Sequence, residues 1–341
     1  MAARFIPRQV FPYHGSIPRS YYLGHHRSGL AAMKERLSAV DYIIECRDAR
    51  APVTSMNPIF EEALGNSRRM IVYTKRDLAT DPGSQERRKL ENEVRLFHEN
   101  TPSVFLSTTV RSDLTRVLSH MRAEALALQK PVGSRVMVVG MPNVGKSTLL
   151  NNLRRLSTSK AKAVRTGAQP GITRKVATPV KILELDDGSP VYLMDTPGIF
   201  MPYVPDAENM LKLALCGCVK DSVIAPVTLA DYLLYHLNHR HPDVYGQWSE
   251  PTNEINDLLD QFARKTGLLS KGGQPNIDLA ALNFIQKWRD GQLGRIMLDN
   301  IQEEKRRQEE KLDDPGADVS TSITQALKTS KIKIKERSKG Q

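Results

Sequence analysis

The sequence predicts an α/β domain with a mostly parallel sheet, followed by an all-α domain. Two patterns support this fold class. Up to residue 194, short apolar and β-branched runs alternate with helical patterns, and most of these runs end in a polar loop. Such loops are typical of parallel strands whose carboxyl ends carry a ligand site. Beyond residue 205 only helical periodicity recurs, which indicates a second, helical domain.

The α/β part begins with a helical pattern around residues 30–37 and continues with strand candidates. These strands are predicted at residues 40–46, 70–73, 104–106, 135–139, 175–183 and 191–194. A helix is predicted from Lys146 onward, and Asp186-Asp187-Gly188 supplies a turn between the last two strands. We assign this domain to residues 22–204, after a basic N-terminal arm at residues 1–21.

The second domain is predicted over residues 205–302. Its helices are expected at residues 210–214, 229–237, 255–262, 279–288 and 296–301. Charged residues dominate from Glu303, and residues 328–341 contain six basic residues against the single acid Glu336. Because such a composition cannot bury a core, residues 303–341 are predicted to form a charged, disordered tail.

Composition limits the class of protein. The 341 residues, 40% of them hydrophobic, are sufficient for two buried cores. The net charge of +11 favours a polyanionic partner, because each Lys or Arg near a phosphate releases counterions. The three cysteines cannot form a disulfide framework, and no apolar run approaches the roughly 18 residues of a spanning helix. We therefore expect reduced thiols in an intracellular compartment and no transmembrane anchor.

The N-terminal segment is basic and free of acids as far as Glu35, and it contains Arg4, Arg8 and Arg19. This pattern is typical of a mitochondrial targeting segment. Several prolines interrupt a long amphipathic helix there, and a basic arm that touches RNA is the alternative interpretation.

A glycine-rich loop, Gly140-x-x-x-x-Gly145-Lys146-Ser147, follows an apolar strand and opens a helix. This context is typical of a phosphate-binding loop, in which backbone amides and a helix N-terminus face the anion. Lys146 would neutralise the outer phosphates, and the Ser147 hydroxyl would bind magnesium.

A second nucleotide motif, Asp195-Thr196-Pro197-Gly198, follows the last strand. Asp195 is expected to hold magnesium through water, and the Gly198 amide is expected to sense the γ-phosphate. Between the two motifs, Thr173 lies in a loop bounded by glycine and proline. We expect this threonine to close over the metal in the triphosphate state.

The base is expected to be read by Thr74-Lys75-Arg76-Asp77. The Asp77 carboxylate can accept two hydrogen bonds from guanine, whereas adenine lacks that pair of donors, so GTP is favoured over ATP. The stem of Lys75 would cover the ring. Thr74 stands where this motif usually has asparagine, which removes one side-chain tie to the neighbouring loops. Ser107 and Thr108 are expected to bring a backbone amide to the guanine oxygen.

The order of these motifs is unusual, because the base-reading motif precedes the phosphate loop, whereas an ordinary GTPase has the loop first. The chain is therefore predicted to be a circularly permuted P-loop GTPase, which is feasible because termini of compact domains lie close together. It resembles the circularly permuted GTPases of ribosome assembly, most closely the bacterial large-subunit assembly type (RbgA/YlqF) and its mitochondrial counterpart. Further matching motifs are Gly24-His25, Asp48-Ala49-Arg50-x-Pro52, Asn57-Pro58, Pro170-Gly171-Ile172-Thr173 and the residue after Gly198, Ile199.

The resemblance implies several roles. Ile199 occupies the position where Ras-like enzymes have a water-orienting glutamine, and the family pattern assigns that task to His25. It also implies a potassium ion held partly by Asn143, which would stabilise transition-state charge. The helical domain is implied to bind ribosomal RNA. Because residues 199–205 join the γ-phosphate sensor to that domain with little slack, GTP binding is expected to reorient it.

We therefore expect a GTPase that assembles the mitochondrial large ribosomal subunit, in the matrix and with peripheral attachment to the inner membrane as an option. Alternatives are a GTP-dependent RNA-binding scaffold with negligible turnover and a cytosolic or nucleolar GTPase of the same class. No DNA partner is expected. The predicted catalytic residues are His25, Lys146 and Thr173; the magnesium ligands are Ser147, Thr173 and Asp195. The residues predicted to contact GTP are Thr74, Lys75, Asp77, Ser107, Thr108, Asn143, Val144, Gly145, Lys146, Ser147, Thr148 and Gly198.

Overall fold

The computed structural model describes residues 5–13, 17–21, 24–65, 67–98, 101–157 and 179–313. Several sequence predictions lie partly or wholly outside these residues: Thr173, residues 175–178 of the fifth predicted strand, residues 1–4 and 14–16 of the arm, and the tail beyond residue 313 with its basic segment 328–341.

A single sheet organises the first part of the chain. Its strands are β1 (Tyr42–Asp48), β2 (Arg69–Thr74), β3 (Ser103–Phe105), β4 (Ser134–Gly140), β5 (Val180–Glu184) and β6 (Pro190–Asp195). Among the described residues the spatial order is β3-β2-β1-β4-β6-β5, and all neighbours are parallel except β5 and β6. All seven residues of β1 are buried, because helices cover both faces of a parallel sheet. The predicted mostly parallel sheet is confirmed.

The sheet domain has one helix before its first strand and further helices in the connections between strands. They are α1 (Gly24–Leu37), α2 (Pro58–Leu64), α3 (Arg76–Ala79), α4 (Gln85–Phe97), α5 (Arg111–Leu128) and α6 (Lys146–Ser157). The residues at the start of α2 favour a helix. The Asn57 side chain accepts a hydrogen bond from the Ile59 amide, and Pro58 is tolerated in the first turn because an amide there would have no partner within the helix.

The chain then continues through α7 (Ala207–Leu215), α8 (Pro226–Arg240), α9 (Ile255–Thr266) and α10 (Ile277–Arg289), with a short 3-10 helix at Pro242–Tyr245. We call residues 205–302, which contain these helices, the helical domain. Asp206 caps α7 and Asn276 caps α10, each by accepting a bond from an amide in the first turn. The apolar core runs continuously from the sheet into these helices, so the two parts are packed against each other.

The helix predicted at residues 296–301 is wrong for residues 296–300, which form no regular element. The Leu298 amide donates to the Arg50 carbonyl at 2.6 Å, and the Asp299 carboxylate accepts bonds from the Val53 and Thr54 amides at 2.8 Å each. These tertiary bonds replace the helical ladder. Ile296, Met297 and Leu298 are all buried although they are consecutive, so the segment is enclosed on more than one side. Helical periodicity cannot distinguish such a segment from a helix.

The tail prediction is wrong at its start, because residues 303–313 belong to α11 (Ile301–Asp313). Ile301 is 4% exposed and joins an apolar cluster with Val94 of α4, while the Gln302 side chain donates to Glu93. This packing stabilises a helix that its charged sequence alone would not specify. In the described part of the chain, no helix combines the length and apolar character needed to cross a membrane.

The N-terminal arm packs against the helical domain. Phe11 is 2% exposed, with its ring 5.1 Å from that of Tyr232. The Arg8 guanidinium forms an ion pair with Asp231 at 2.6 Å, and the Arg19 carbonyl accepts a bond from the Val204 amide. The Arg8 side chain is thus engaged within the protein.

Replacing Phe11 with Ala tests whether the arm is part of the folded body. We expect the free energy of unfolding to fall by about 3 kcal/mol, because a buried aromatic ring is removed and a cavity remains. Val10→Ala is the matched control, since Val10 is 74% exposed and should cost less than about 0.5 kcal/mol. Urea denaturation measures both variants, and equal stabilities would contradict the packing.

Candidate nucleotide-binding site

The phosphate loop, residues 140–147, lies between the end of β4 and the first turn of α6. A Cβ on Gly140, whose φ is +150°, would lie 2.4 Å from the Cys46 carbonyl oxygen of the neighbouring strand. Gly145 has a φ of +93° and faces Thr74 of β2. These positions admit only glycine without strain. The loop thus ends at a helix N-terminus, where backbone amides and the helix dipole favour an anion.

Lys146 is buried beneath this loop, and its ammonium donates to the Met141 carbonyl at 2.7 Å. Burial lowers the pKa of Lys146, although the nearby Asp195 carboxylate opposes the shift. An incompletely compensated buried cation favours the approach of an anion. This is the property that a phosphate-binding lysine needs.

Ser147 and Asp195 meet at the opening of the loop, where the hydroxyl donates to Oδ2 of the carboxylate at 2.8 Å. The other oxygen, Oδ1, is buried without a hydrogen-bond partner among the described residues. Burial raises the pKa of Asp195, although Lys146 opposes the shift. A hydroxyl and a carboxylate are hard oxygen ligands that fit Mg²⁺. Within the described ranges no cluster of three His, Cys, Asp or Glu side chains is arranged for a metal.

Gly198 lies directly against the phosphate loop. A Cβ at this position would lie 2.6 Å from the Cα atom of Pro142 and 3.2 Å from the Lys146 ammonium. The Ile199 amide donates to the Gly140 carbonyl at 3.3 Å. The predicted γ-phosphate sensor and the predicted phosphate loop therefore touch through their backbones.

Helix α1 presents two adjacent histidines with different environments. His26 is 1% exposed, and its Nδ1 lies 3.2 Å from the Gly198 carbonyl and 3.3 Å from the Phe200 amide. His25 is exposed, with its ring 4.1 Å from that of His26. Successive residues on a helix point about 100° apart, which explains why only one histidine contacts Gly198. The sequence analysis did not identify His26. The signal was that the two adjacent histidines lie on a helix, so that only one of them can face the protein interior.

The base loop, residues 74–77, begins where β2 ends. The Thr74 hydroxyl lies within hydrogen-bonding distance of the Val144 carbonyl in the phosphate loop, and also 3.1 Å from the Arg47 carbonyl. The Thr74 hydroxyl thus provides a side-chain contact to the phosphate loop, and the expectation that asparagine would add a further tie stays a prediction. Lys75 has a φ of +55°, and its ammonium donates to Asp48 at 2.9 Å.

Asp77 is half-buried in the first turn of α3, and its backbone carbonyl accepts a bond from Arg295 of the helical domain at 2.7 Å. The Arg76 amide donates to Leu106, which brings the Ser107 loop beside the base loop. The Ser107 amide is already bonded to the Asp113 carboxylate at 3.0 Å. Thr108 therefore remains the candidate for an amide contact with the base.

Asn143 has a φ of +56°, and its side-chain amide donates to the Gly217 carbonyl of the helical domain at 2.9 Å. The amide group is thereby held in place, with its oxygen as the atom suited to a potassium ion. Asp48 and Arg50, known from the sequence only as part of a family motif, are fully buried between the base loop and the helical domain.

Comparisons with known proteins agree with this geometry. A family model described as "50S ribosome-binding GTPase" matches residues 135–269. Mitochondrial GTPase 1 of Schizosaccharomyces pombe is 37% identical over 318 residues, which cover 87% of this chain and 94% of that protein. Mitochondrial ribosome-associated GTPase 1 of Xenopus tropicalis is 35% identical over 321 residues, with 88% and 100% covered. The chain belongs to the mitochondrial GTPase 1 family.

Solved structures support the fold of this family member. GDP-bound YlqF and GNP-bound YlqF from T. maritima each match with a TM-score of 0.53 and 23% identity over 79% of this chain. The matches cover 98% and 96% of the respective YlqF chains. The predicted membership of the permuted GTPases, and with it the prediction of a GTPase, is confirmed. The roles of individual residues stay predictions.

The contact between His26 and Gly198 predicts a pH effect on stability. Burial, with help from His25, lowers the pKa of His26 to about 4, whereas an unfolded histidine titrates near about 6.5. The unfolded state therefore binds the proton first, and stability is complete above pH 6.5 and falls as the pH drops toward 4.

We expect the unfolding equilibrium constant to rise by up to about tenfold per pH unit for this histidine across that window. In urea denaturation, His26→Asn, which does not titrate there, should show a shallower pH dependence than the wild type. His120→Asn on exposed α5 is the control and should leave the slope unchanged. Identical slopes for His26→Asn and the wild type would contradict the buried neutral state.

Proposed function

We propose that this family member binds GTP and hydrolyses it to GDP and phosphate in order to drive assembly of the mitochondrial large ribosomal subunit. The main support is the meeting of the phosphate loop with the base loop, through Thr74 and Val144, at the carboxyl ends of parallel strands. The relatives' names, mitochondrial GTPase and mitochondrial ribosome-associated GTPase, support the cellular role.

In this proposal the phosphates lie on the amides of residues 143–148, with Lys146 against the outer oxygens. The Asp77 carboxylate accepts hydrogen bonds from the guanine ring, and the stem of Lys75 covers one ring face. The Thr108 amide donates to the guanine oxygen. The Gly198 amide donates to the γ-phosphate. Gly198 lies so close to the phosphate loop that no side chain fits there, and its backbone amide is therefore the group that can contact the phosphate.

Hydrolysis requires an oriented water and stabilised charge. Ile199 is fully buried and has no polar side-chain atom, so it cannot orient water. We assign that task to His25, whose exposed ring lies on the helix that contacts Gly198. Ser147, Thr173 and Asp195 would hold magnesium, and Asn143 would provide an oxygen to potassium. Such cations, when bound, neutralise charge that develops on the phosphoryl group.

The helical domain, residues 205–302, is proposed to contact ribosomal RNA. Near the end of α9, Arg264, Lys265 and Lys271 are exposed. A basic surface of this kind gains affinity for RNA by releasing counterions. No DNA contact is proposed.

The linker, residues 199–205, is proposed to transmit the nucleotide state to this domain. Its Ile199 carbonyl accepts a bond from Asn57 at 2.9 Å, and Phe200 and Val204 are fully buried. A segment held this tightly cannot absorb a movement of Gly198 locally. GTP binding would therefore reorient the helical domain, and hydrolysis would release it.

The proposed location is the mitochondrial matrix, with peripheral attachment on the matrix face of the inner membrane. The names of the curated relatives favour a mitochondrial protein over a cytosolic or nucleolar one. Imaging a fusion of residues 1–34 to a fluorescent protein would separate these locations.

Single-turnover GTP hydrolysis, with potassium and purified mitochondrial large subunits, tests the catalytic proposal. We expect Lys146→Ala to reduce the rate by at least about a hundredfold, because a buried phosphate-facing charge is lost. Lys89→Ala, on an exposed face of α4, is the control and should match the wild type. An undiminished rate in Lys146→Ala would refute the proposed site.

A GTP-dependent RNA scaffold with negligible turnover is the second candidate, and the apolar Ile199 favours it. We expect His25→Ala to lower particle-stimulated hydrolysis by about a hundredfold without changing GTP affinity, because a water-orienting group is lost. His120→Ala serves as the surface control. Normal hydrolysis by His25→Ala would refute the water-orienting role of His25, whereas negligible particle-stimulated hydrolysis by the wild type would favour the scaffold.

A further inference from the structure

An ion cluster centred on a fully buried pair lies at the end of β1, between the base loop and the helical domain. The Asp48 carboxylate accepts bonds from Arg50 Nε at 3.0 Å and Nη2 at 2.8 Å. The side chains of Asp48 and Arg50 are 0% and 1% exposed. Such a two-point pair fixes the plane of both groups as well as their separation.

Lys75 is the third member of this cluster. Its ammonium donates to Asp48 Oδ2 at 2.9 Å, while its side chain remains 25% exposed. The end of the side chain is therefore held by a buried carboxylate, while a quarter of the side chain stays accessible. An ammonium on a four-carbon stem has many rotamers, so this anchor reduces the conformational freedom that Lys75 would otherwise lose on ligand binding.

Arg50 extends the cluster into the helical domain. Its Nη2 donates to the Cys216 carbonyl at 3.1 Å, and its guanidinium lies 4.8 Å from the centre of the Trp288 ring. The Arg50 carbonyl also accepts the bond from Leu298 described above. Hydrogen bonds and a cation–π contact thus tie Arg50 to three places in the helical domain.

The carboxylate depends on both cations. Burial alone would raise the pKa of Asp48, but Arg50 and Lys75 outweigh it and hold that pKa well below its usual range. If either cation moves away, the buried charge keeps a single partner, which is costly in a dry interior. The positions of Lys75 and Arg50 are therefore coupled through Asp48.

We propose that Asp48 is the positioning residue that holds Lys75 over the guanine base, and that Arg50 fixes Asp48 against the helical domain. This inference rests on the proposed guanine site. Base binding and docking of the helical domain then stabilise each other, since coupling between two sites is reciprocal. The linker responds to the γ-phosphate, whereas this cluster responds to the base, so GDP engages it as well as GTP.

A mutant cycle on GDP affinity tests the positioning role, with a fluorescent GDP analogue as the probe. We expect Asp48→Asn to weaken binding by about tenfold, because a charge-assisted bond that orders Lys75 is lost. In the Lys75→Ala background the same change should add no further weakening, since its target is gone. Asp231→Asn, in the ion pair with Arg8, is the matched control and should bind GDP normally.

Inorganic pyrophosphate, used as a competitor, separates positioning from general damage. Pyrophosphate carries no base, so its competition should be unchanged in Asp48→Asn, whereas a damaged fold would weaken both ligands. Full GDP affinity in Asp48→Asn, additive effects in the cycle, or parallel loss of pyrophosphate binding would each overturn the inference. Failure of the wild type to bind GDP would instead overturn the proposed function.

A second measurement does not require Asp48→Asn to fold. The sequence has two tryptophans, Trp248 and Trp288, so Trp248→Phe leaves Trp288 as the reporter beside Arg50. We expect GDP to change the Trp288 emission and pyrophosphate to leave it unchanged. Two results would contradict coupling between the base and the helical domain: the same change in Trp288 emission with pyrophosphate as with GDP, or no change with either ligand.

Discussion

The register of three parallel strands is the constraint on which the rest of the structure depends. Asp48 of β1 pairs with Thr74 of β2, and Cys46 of β1 pairs with Gly140 of β4. Parallel strands in this register end at the same edge of the sheet. The base loop and the phosphate loop are therefore neighbours, although the chain reaches them in the reverse of the usual order. Hydrogen bonding between strands depends on spatial order, so a permuted connectivity leaves the site intact.

The permutation also explains why the helical domain touches so much of the site. Because the γ-phosphate sensor is the last motif along the chain, the next residues lead directly into α7. The helical domain then reaches the phosphate loop through Asn143, the base loop through Arg295, and the cluster at β1 through Arg50. These contacts place the helical domain beside both the phosphate loop and the base loop.

Sequence patterns revealed the elements whose stability is local, and missed those that depend on tertiary contacts. Strands such as β1 were predictable because β-branched runs fit a sheet that is buried on both faces. The phosphate loop was predictable because its backbone needs glycine at positions with positive φ. Segment 296–300 was mistaken for helix because its backbone bonds go to a distant loop. The contacts of His26 with Gly198 and of Asp48 with Lys75 were missed for the same reason, because each joins residues that are separated along the chain.

A crystal structure of the protein with GDP and magnesium tests the central claim most directly. The account predicts a single nucleotide with its phosphates on the amides around Lys146 and its guanine between the Lys75 stem and the Asp77 carboxylate. The ammonium of Lys75 should still contact Asp48. A nucleotide whose base lies away from Asp77, or one bound outside the phosphate loop, would contradict the account.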